Sequence, residues 1–211
     1  MNNVQPPTGR KRSALLPLLL LALALGAAAL LWFTRPGSTP EGNLSNAAIS
    51  GQFDLVDSSG RPVTSASFDG KWRLMYFGYT YCPDVCPMDL ATMAAALRLF
   101  DERHPDEAKK LQALFVTIDP ERDTPEVMAE YTASFHPGIL GLTGSRAEVD
   151  AALKNFRIYA AKVPGETDDS YTYDHSALFY LLDPKGRAVE FLASQTAAPE
   201  QLANTLERFL G

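Results

Sequence analysis

Cysteine and histidine are both scarce in this chain, which has two cysteines and three histidines among 211 residues. Two cysteines cannot form a scaffold of several disulfide bonds or a four-cysteine zinc site, and three histidines leave few ways to complete a metal site. Positive charge is also in short supply, since 19 lysines and arginines stand against 25 acidic residues and the formal net charge is −6. Such a chain cannot neutralise a phosphate backbone, so we expect no nucleic-acid partner.

Charge is absent altogether from one long segment, Ser13–Phe33. An α-helix of that length spans the hydrocarbon core of a bilayer, which is roughly 30 Å thick. Arg10, Lys11 and Arg12 stand directly before it, and the positive-inside rule then places residues 1–12 in the cytoplasm and the rest of the chain on the other side. We therefore predict a cytoplasmic N-terminus at 1–12 and a single transmembrane helix, acting as an anchor, at 13–33.

A cleaved signal peptide is the competing interpretation of this segment, because Ala27, Ala28 and Ala29 offer small residues for cleavage. The apolar run is long for a signal peptide, however, and it continues past these alanines to Phe33. We therefore prefer an uncleaved anchor, and both interpretations export the remainder of the chain. The basic segment is short for a mitochondrial presequence, so we expect a bacterial inner membrane with the C-terminal domain in the periplasm.

Residues 34–50 are rich in Gly, Pro, Ser and Asn and lack apolar periodicity, which is typical of a flexible tether. Predicted strands and helices then alternate through one folded domain, residues 51–211. The predicted strands are Phe53–Asp57, Arg73–Tyr79, Leu114–Ile118, Ala177–Asp183 and Ala188–Leu192, and the predicted helices are Met88–Arg103, one capped by Thr124, one capped by Ser145, and Pro199–Leu210. This order, with its closing hairpin and helix, indicates an α/β domain of thioredoxin-like fold.

The chemistry concentrates in the loop between the second predicted strand and the first predicted helix, where Cys82 and Cys86 are separated by three residues. Pro87 fits the first position of a helix, which predicts Cys86 as the N-cap and places both sulfurs near the positive end of the helix dipole. Thiolates are stabilised there, and a pair of them can form a disulfide bond or bind a soft cation such as Cu(I). Thioredoxin-type redox pairs have two intervening residues rather than three, so the wider spacing favours a metal site.

His175 is the best candidate for a third metal ligand. It directly precedes the predicted strand that begins at Ser176, and in a thioredoxin-like sheet that junction faces the cysteine loop. Asp174 is placed to orient its ring. The other two histidines, His104 and His136, stand beside prolines where helices are predicted to end, and we interpret both as solvated loop residues.

Three stretches of the sequence, FGYTYCPDVCP, IDPERDTP and YDHS, resemble the Sco/SenC family and occur in the order expected for it. The resemblance covers residues 51–211. It implies a membrane-anchored, thioredoxin-like copper chaperone that delivers copper to the binuclear site of cytochrome c oxidase subunit II. The family's copper ligands correspond here to Cys82, Cys86 and His175. We expect Cu(I) in preference to Cu(II), with a periplasmic copper donor and a periplasmic thiol reductant as further partners.

The main rival hypothesis is a thiol–disulfide oxidoreductase in which Cys82 and Cys86 are a redox-active pair that reduces the cysteines of the acceptor. His175 discriminates between the two, because a pure dithiol reductant has no need of a distant imidazole. The sequence favours a metallochaperone and leaves the enzymatic activity open.

Several residues near these motifs have two interpretations. Asp119 belongs either to a solvated turn or to the surroundings of the metal site. Met88 and Met93 have soft sulfurs that suit copper, but their helical spacing favours packing. Tyr79 and Tyr81 are predicted to pack on one side of the metal loop. An acidic loop shortly before His175 is interpreted as solvated and consists of Glu166, Asp168 and Asp169.

Overall fold

The computed structural model describes residues 49–166 and 170–211. The predicted cytoplasmic segment, the transmembrane anchor and the tether up to residue 48 lie outside the described residues, as do Asp168 and Asp169 of the acidic loop. Among the helices that the structure describes, none is long and apolar enough to cross a bilayer. The anchor at 13–33 therefore stays a prediction.

A twisted mixed sheet forms the centre of the described domain. Its strands are β1 (Asp54–Asp57), β2 (Pro62–Thr64), β3 (Trp72–Gly78), β4 (Leu111–Thr117), β5 (Ile139–Thr143), β8 (Leu178–Leu182) and β9 (Ala188–Ala193), while β6 (Ala160–Val163) and β7 (Thr172–His175) form a separate hairpin. The seven strands lie in the order β2-β1-β5-β4-β3-β8-β9. Strands β3, β4 and β5 are parallel, and β8 and β9 continue the sheet in antiparallel fashion.

The α-helices of the described domain include two that begin at side-chain caps. The α-helices are α1 (Val85–Arg103), α2 (Pro105–Ala108), α3 (Pro125–Ala133), α4 (Arg146–Phe156) and α5 (Pro199–Leu210). The Thr124 side chain caps α3 by accepting a hydrogen bond from the backbone N–H of Val127, and Ser145 forms a capping box with Glu148 at the start of α4. The predicted caps are therefore confirmed. Helix α1 packs against α5, and α3 packs against β5.

Strands β3 and β4 are buried along almost their whole length, which agrees with their continuous apolar sequences. The α/β class and the arrangement of β3, α1 and β4 followed by the β8–β9 hairpin and α5 agree with the predicted thioredoxin-like fold. Strands β2, β5, β6 and β7 were not predicted. No strand residue of the β6–β7 hairpin is buried, and both strands are only four residues long, so neither has the apolar run that marks the central strands.

The position predicted for His175 is wrong in one respect. The residue does not precede a strand that begins at Ser176; it is the last residue of β7, opposite Ala160 of β6, and β8 begins only at Leu178. The physical reason is that backbone pairing with a distant segment, rather than local apolar alternation, makes β7 a strand.

Candidate metal centre

The cysteine loop connects the end of β3 at Gly78 to the start of α1 at Val85. Asp84 occupies the N-cap position, so the prediction that Cys86 is the N-cap is wrong, and Cys86 is the second residue of the helix. Pro87 is tolerated one position later because the first N–H groups of a helix have no partner within the helix. The free backbone N–H of Cys86 instead donates to the sulfur of Cys82 at 3.4 Å, which places that sulfur at the helix N-terminus.

The two cysteines are both free thiols in the structure, and their environments differ. Hydrogen bonding from the Cys86 thiol, supported by the Cys86 backbone N–H, outweighs burial and lowers the pKa of Cys82 to about 3. The same hydrogen bond to Cys82, together with complete burial, raises the pKa of Cys86 well above its usual value. The pair therefore shares one proton at neutral pH, with the thiolate on Cys82 and the proton on Cys86.

The His175 ring approaches this pair from the hairpin. Its Nε2 lies 3.5 Å from the Cys86 Sγ, and its Nδ1 lies 3.0 Å from the carbonyl oxygen of Ser176. A carbonyl oxygen only accepts hydrogen bonds, which assigns the ring proton to Nδ1 and leaves the lone pair of Nε2 facing the sulfur. This is the form of imidazole that binds metals. Asp174 was expected to orient the ring, but it is exposed, and the Ser176 carbonyl takes that part.

Space for the Cys86 sulfur depends on Gly78, which sequence reasoning did not single out. A Cβ atom at Gly78 would lie 2.8 Å from the Cys86 Sγ and 2.9 Å from the Tyr76 ring. The Tyr76 hydroxyl donates to the same sulfur at 3.9 Å, and burial raises the pKa of Tyr76. The buried Asp89 also acts on Tyr76, and it accepts a hydrogen bond from Ser194. A chain of polar groups therefore leads from the Cys86 sulfur into the core.

Asp123 anchors the cysteine loop to the sheet. Its carboxylate is completely buried and accepts hydrogen bonds from the Thr80 backbone N–H at 3.1 Å, the Thr80 hydroxyl at 2.6 Å and the Thr117 hydroxyl at 2.6 Å. Burial raises the pKa of Asp123 despite these donors. The sequence signal that could have indicated this role is the position of Asp123 just beyond the carboxyl end of β4, where parallel strands bring polar residues together.

Asp119 is also completely buried, so it does not belong to a solvated turn. Its carboxylate forms an ion pair with Arg122 and accepts a hydrogen bond from the Tyr171 hydroxyl at 3.0 Å. Arg122 in turn donates to the Tyr171 carbonyl oxygen, which lies four residues before His175. Both residues therefore support the hairpin that carries His175. Arg122 escaped prediction because its contact with Tyr171 joins segments 49 residues apart.

The other residues weighed near the motifs divide between core and surface. Tyr79 is buried, whereas Tyr81 is 65% exposed, so only Tyr79 packs in the core. Met93 packs in the core as expected, but Met88 is 58% exposed and close in sequence to Cys86. The remaining two histidines are not near the site: His104 lies 3.7 Å from Glu207, and His136 accepts a hydrogen bond from Gly138.

The three candidate ligands, Cys82, Cys86 and His175, lie close together but do not form a complete coordination shell. Within residues 49–166 and 170–211, no group of three or more His, Cys, Asp or Glu side chains is arranged to hold a metal ion as it stands. The Cys86 residue nevertheless contacts both Cys82 and His175. A metal would therefore need a small movement of the cysteine loop or of the hairpin to gather all three.

The chain is similar to proteins of one known family. A family model described as SCO1/SenC matches residues 41–211. The mouse mitochondrial protein SCO2 homolog is 41% identical over 168 residues, which are 79% of this chain and 65% of the mouse protein. The fission yeast protein sco1 (Schizosaccharomyces pombe) is 41% identical over 161 residues, 75% of this chain and 59% of that protein. The chain thus spans less than two thirds of the length of these two relatives.

Solved structures resemble the chain over a similar range. The Bradyrhizobium japonicum ScoI structure with copper bound has 44% sequence identity and a TM-score of 0.69, and the match covers 77% of this chain and 100% of that one. The yeast Sco1 structure with copper bound has 36% identity and a TM-score of 0.69, covering 77% of this chain and 88% of that one. The relatives therefore include bacterial as well as mitochondrial proteins.

Proposed function

The chain belongs to the SCO1/SenC family, and from this premise we propose that it is a copper-binding metallochaperone with Cys82, Cys86 and His175 as its ligands. Copper is its cargo, and the acceptor is the binuclear copper site of cytochrome c oxidase subunit II. The copper held by the solved Bradyrhizobium and yeast relatives supports the choice of metal.

One observation carries the proposal: two sulfurs and the lone-pair nitrogen of an imidazole approach each other from segments about ninety residues apart. The Cys86 Sγ and the His175 Nε2 are 3.5 Å apart, and the Cys82 Sγ accepts a hydrogen bond from the backbone N–H of Cys86. Thiolates are soft ligands that favour Cu(I), and imidazole is a common additional ligand for copper. The chemistry of this donor set therefore fits copper and does not fit a hard cation such as Mg²⁺.

Each residue has a distinct part in binding and release. Cys82 is only partly buried whereas Cys86 is buried, so the Cys82 thiolate meets the metal first, and it already carries the required charge. Cys86 loses its proton when it binds, and His175 needs no proton loss at Nε2. Acceptor thiolates can then replace these ligands one at a time, so that the cargo moves without being released to water.

The surroundings of the domain are part of the same proposal. The uncharged run at 13–33, with Arg10, Lys11 and Arg12 before it, supports a single-pass anchor in a bacterial inner membrane with the copper domain in the periplasm. In an oxidising compartment Cys82 and Cys86 tend to form a disulfide bond, which cannot bind copper. A periplasmic thiol reductant and a copper donor are therefore required.

Competition for Cu(I) against a chelator of known affinity tests the ligand set on the reduced full-length chain. Cys82→Ser and Cys86→Ser should abolish tight binding. His175→Ala should weaken it by at least about tenfold, since losing a ligand costs no less than losing a group that orients one. His104→Ala is the matched control and should bind copper like the wild type. Wild-type affinity in Cys82→Ser would rule out the site, and wild-type affinity in His175→Ala would rule out the third ligand.

A thiol–disulfide oxidoreductase is the second candidate, and the unequal cysteines favour it. A thiolate on Cys82 beside a protonated, buried Cys86 is the arrangement of an attacking thiol and a resolving thiol. Reduction of the oxidised acceptor domain should then proceed at the wild-type rate in His175→Ala. Copper transfer that is lost in this variant while disulfide reduction persists would assign both activities to the one cysteine pair.

A further inference from the structure

The hairpin that carries His175 is not part of the main sheet. Strands β6 and β7 pair only with each other among the described strands. The hairpin backbone is hydrogen-bonded to the cysteine loop through a side chain: the Tyr173 N–H donates to the Tyr79 hydroxyl at 3.1 Å. The distance between His175 and the cysteines therefore depends on side chains and not on a continuous ladder of strand hydrogen bonds.

Arg122 contacts both the hairpin and the cysteine loop. Its Nη1 donates to the Tyr171 carbonyl oxygen at 3.0 Å, and its guanidinium carbon lies 3.7 Å from the centre of the Tyr171 ring. On the loop side, the same carbon lies 4.7 Å from the centre of the Tyr81 ring, next to Cys82, and 5.8 Å from that of Tyr79. The guanidinium thus lies between aromatic rings of the two segments that provide the copper ligands.

Other groups hold Arg122 and Tyr171 in place. The buried Asp119 carboxylate pairs with the Arg122 Nε and accepts from the Tyr171 hydroxyl at 3.0 Å. The Lys162 ammonium covers the Tyr171 ring at 3.5 Å and pairs with Glu121 at 3.1 Å. We call Arg122, Asp119, Tyr171 and Tyr81 the Arg122 cluster.

The planar shape of arginine is essential to these contacts. The Arg122 side chain is 16% exposed, and it stacks on rings while it donates hydrogen bonds from its edge. A lysine keeps the positive charge, but its ammonium is a point donor that cannot stack and bridge in this way. Replacing Arg122 with Lys therefore loosens the hairpin with little change in the charge near the cysteines.

We propose that Arg122 is a positioning residue for copper: the Arg122 cluster holds the His175 hairpin against the cysteine loop and thereby makes His175 an effective ligand. The proposal rests on the proposed copper-binding function. It separates the two chemistries of the site, since Arg122 acts on the histidine and leaves the redox chemistry of Cys82 and Cys86 unchanged.

A double-mutant cycle on the reduced full-length chain tests this. Cu(I) affinity is measured by chelator competition for the wild type, Arg122→Lys, His175→Ala and the double variant. Arg122→Lys should weaken binding by about tenfold, in the range found for groups that orient metal ligands. In the His175→Ala background the same change should have an effect close to onefold. Arg98→Lys is the matched control, because Arg98 also donates to a backbone carbonyl, that of Phe135, outside the site.

Two further measurements distinguish positioning from a general loss of structure. The reduction potential of the cysteine pair should be the same in Arg122→Lys and wild type. Hydrogen exchange of the copper-free protein should become faster in residues 172–175 and stay unchanged in the core strands. Tyr81→Leu removes the ring on the loop side from an exposed position, so the fold tolerates it, and it should weaken copper binding in the same His175-dependent manner.

The outcomes separate the two proposals. The positioning role would be overturned if Arg122→Lys lowered Cu(I) affinity equally with and without His175. It would also be overturned if neither Arg122→Lys nor Tyr81→Leu lowered the affinity. Copper binding by the wild type would still stand in both cases. Wild-type affinity in His175→Ala would overturn the proposed ligand set, and the positioning role with it.

Discussion

At the scale of single residues, the main feature of the site is the inequality of its two cysteines. The Cys82 sulfur lies at the N-terminus of α1 and accepts a hydrogen bond from a backbone N–H. The Cys86 sulfur is enclosed by Gly78 and Tyr76 in the core. One proton shared between the two sulfurs satisfies both environments. One sulfur ligand is therefore already deprotonated for metal binding, whereas the other still carries a proton.

Alkylation should report this inequality directly. Above its pKa of about 3 Cys82 is a thiolate, so iodoacetamide should modify it at about pH 6, where an ordinary cysteine with a pKa of about 8.5 is almost unreactive. Cys86 should stay unmodified because it is buried and its pKa is raised. Peptide mass spectrometry of the reduced protein measures both, with the urea-unfolded chain as control, in which the two cysteines should react alike. Equal labelling in the folded protein would contradict the assignment.

Copper binding should release about one proton per metal ion near pH 7, because only the Cys86 thiol has a proton to lose. Affinity should then fall about tenfold for each pH unit between about pH 8 and about pH 7, since protons compete with the metal for one site. Chelator competition at several pH values measures the slope. A slope of two protons would mean that Cys82 is also protonated in the free protein.

At the scale of secondary-structure elements, the site is built where β3 and β4 end and α1 begins. Asp123 follows β4 and binds Thr80, so the cysteine loop is tied to the neighbouring strand rather than only to its own. The hairpin β6–β7 supplies the third candidate ligand from outside the main sheet. Two elements of unequal rigidity therefore face each other across the site.

Asp123→Ala should destabilise the protein by about 1–3 kcal/mol, because it leaves the buried Thr117 hydroxyl and the partly buried Thr80 N–H and hydroxyl without an acceptor. Asp123→Asn should cost less, since its amide oxygen still accepts and burial already disfavours the charged carboxylate, whose pKa is raised. Urea unfolding of the two variants measures the difference. Equal and negligible losses would show that the loop needs no anchor.

At the scale of the whole molecule, copper would connect two parts of the chain that are distant in sequence: the cysteine pair at the start of α1 and the hairpin that carries His175. A ligand that binds only the folded state stabilises it in proportion to the logarithm of its concentration over Kd. Folding and metal binding are therefore coupled in this domain.

Cu(I) should raise the unfolding free energy of the reduced protein by about 2.7 kcal/mol when free copper, set by a chelator, is about one hundred times Kd. Thermal unfolding with and without copper measures the effect as a rise in Tm. His175→Ala should show a smaller rise at the same free copper. The disulfide-oxidised protein is the control and should show no rise, because its sulfurs no longer bind the metal. A rise in the oxidised form would place the copper elsewhere.

The sequence by itself determined the local structure: the buried strands β3 and β4, the caps at Thr124 and Ser145, and the position of the cysteine pair between a strand and a helix. These features depend on short-range patterns of apolar residues, prolines and capping side chains, which can be recognised without knowing what packs against them.

Only the tertiary structure decided which polar groups are buried and which partners they have. The roles of Asp119, Arg122 and Asp123 and the contact between the Ser176 carbonyl and the His175 ring depend on residues brought together from different elements. Burial also distinguishes Cys82 from Cys86, although only three residues lie between them. The physical reason is that desolvation and hydrogen bonding are set by three-dimensional neighbours, so two cysteines and three histidines could suggest a site but could not define its electrostatics.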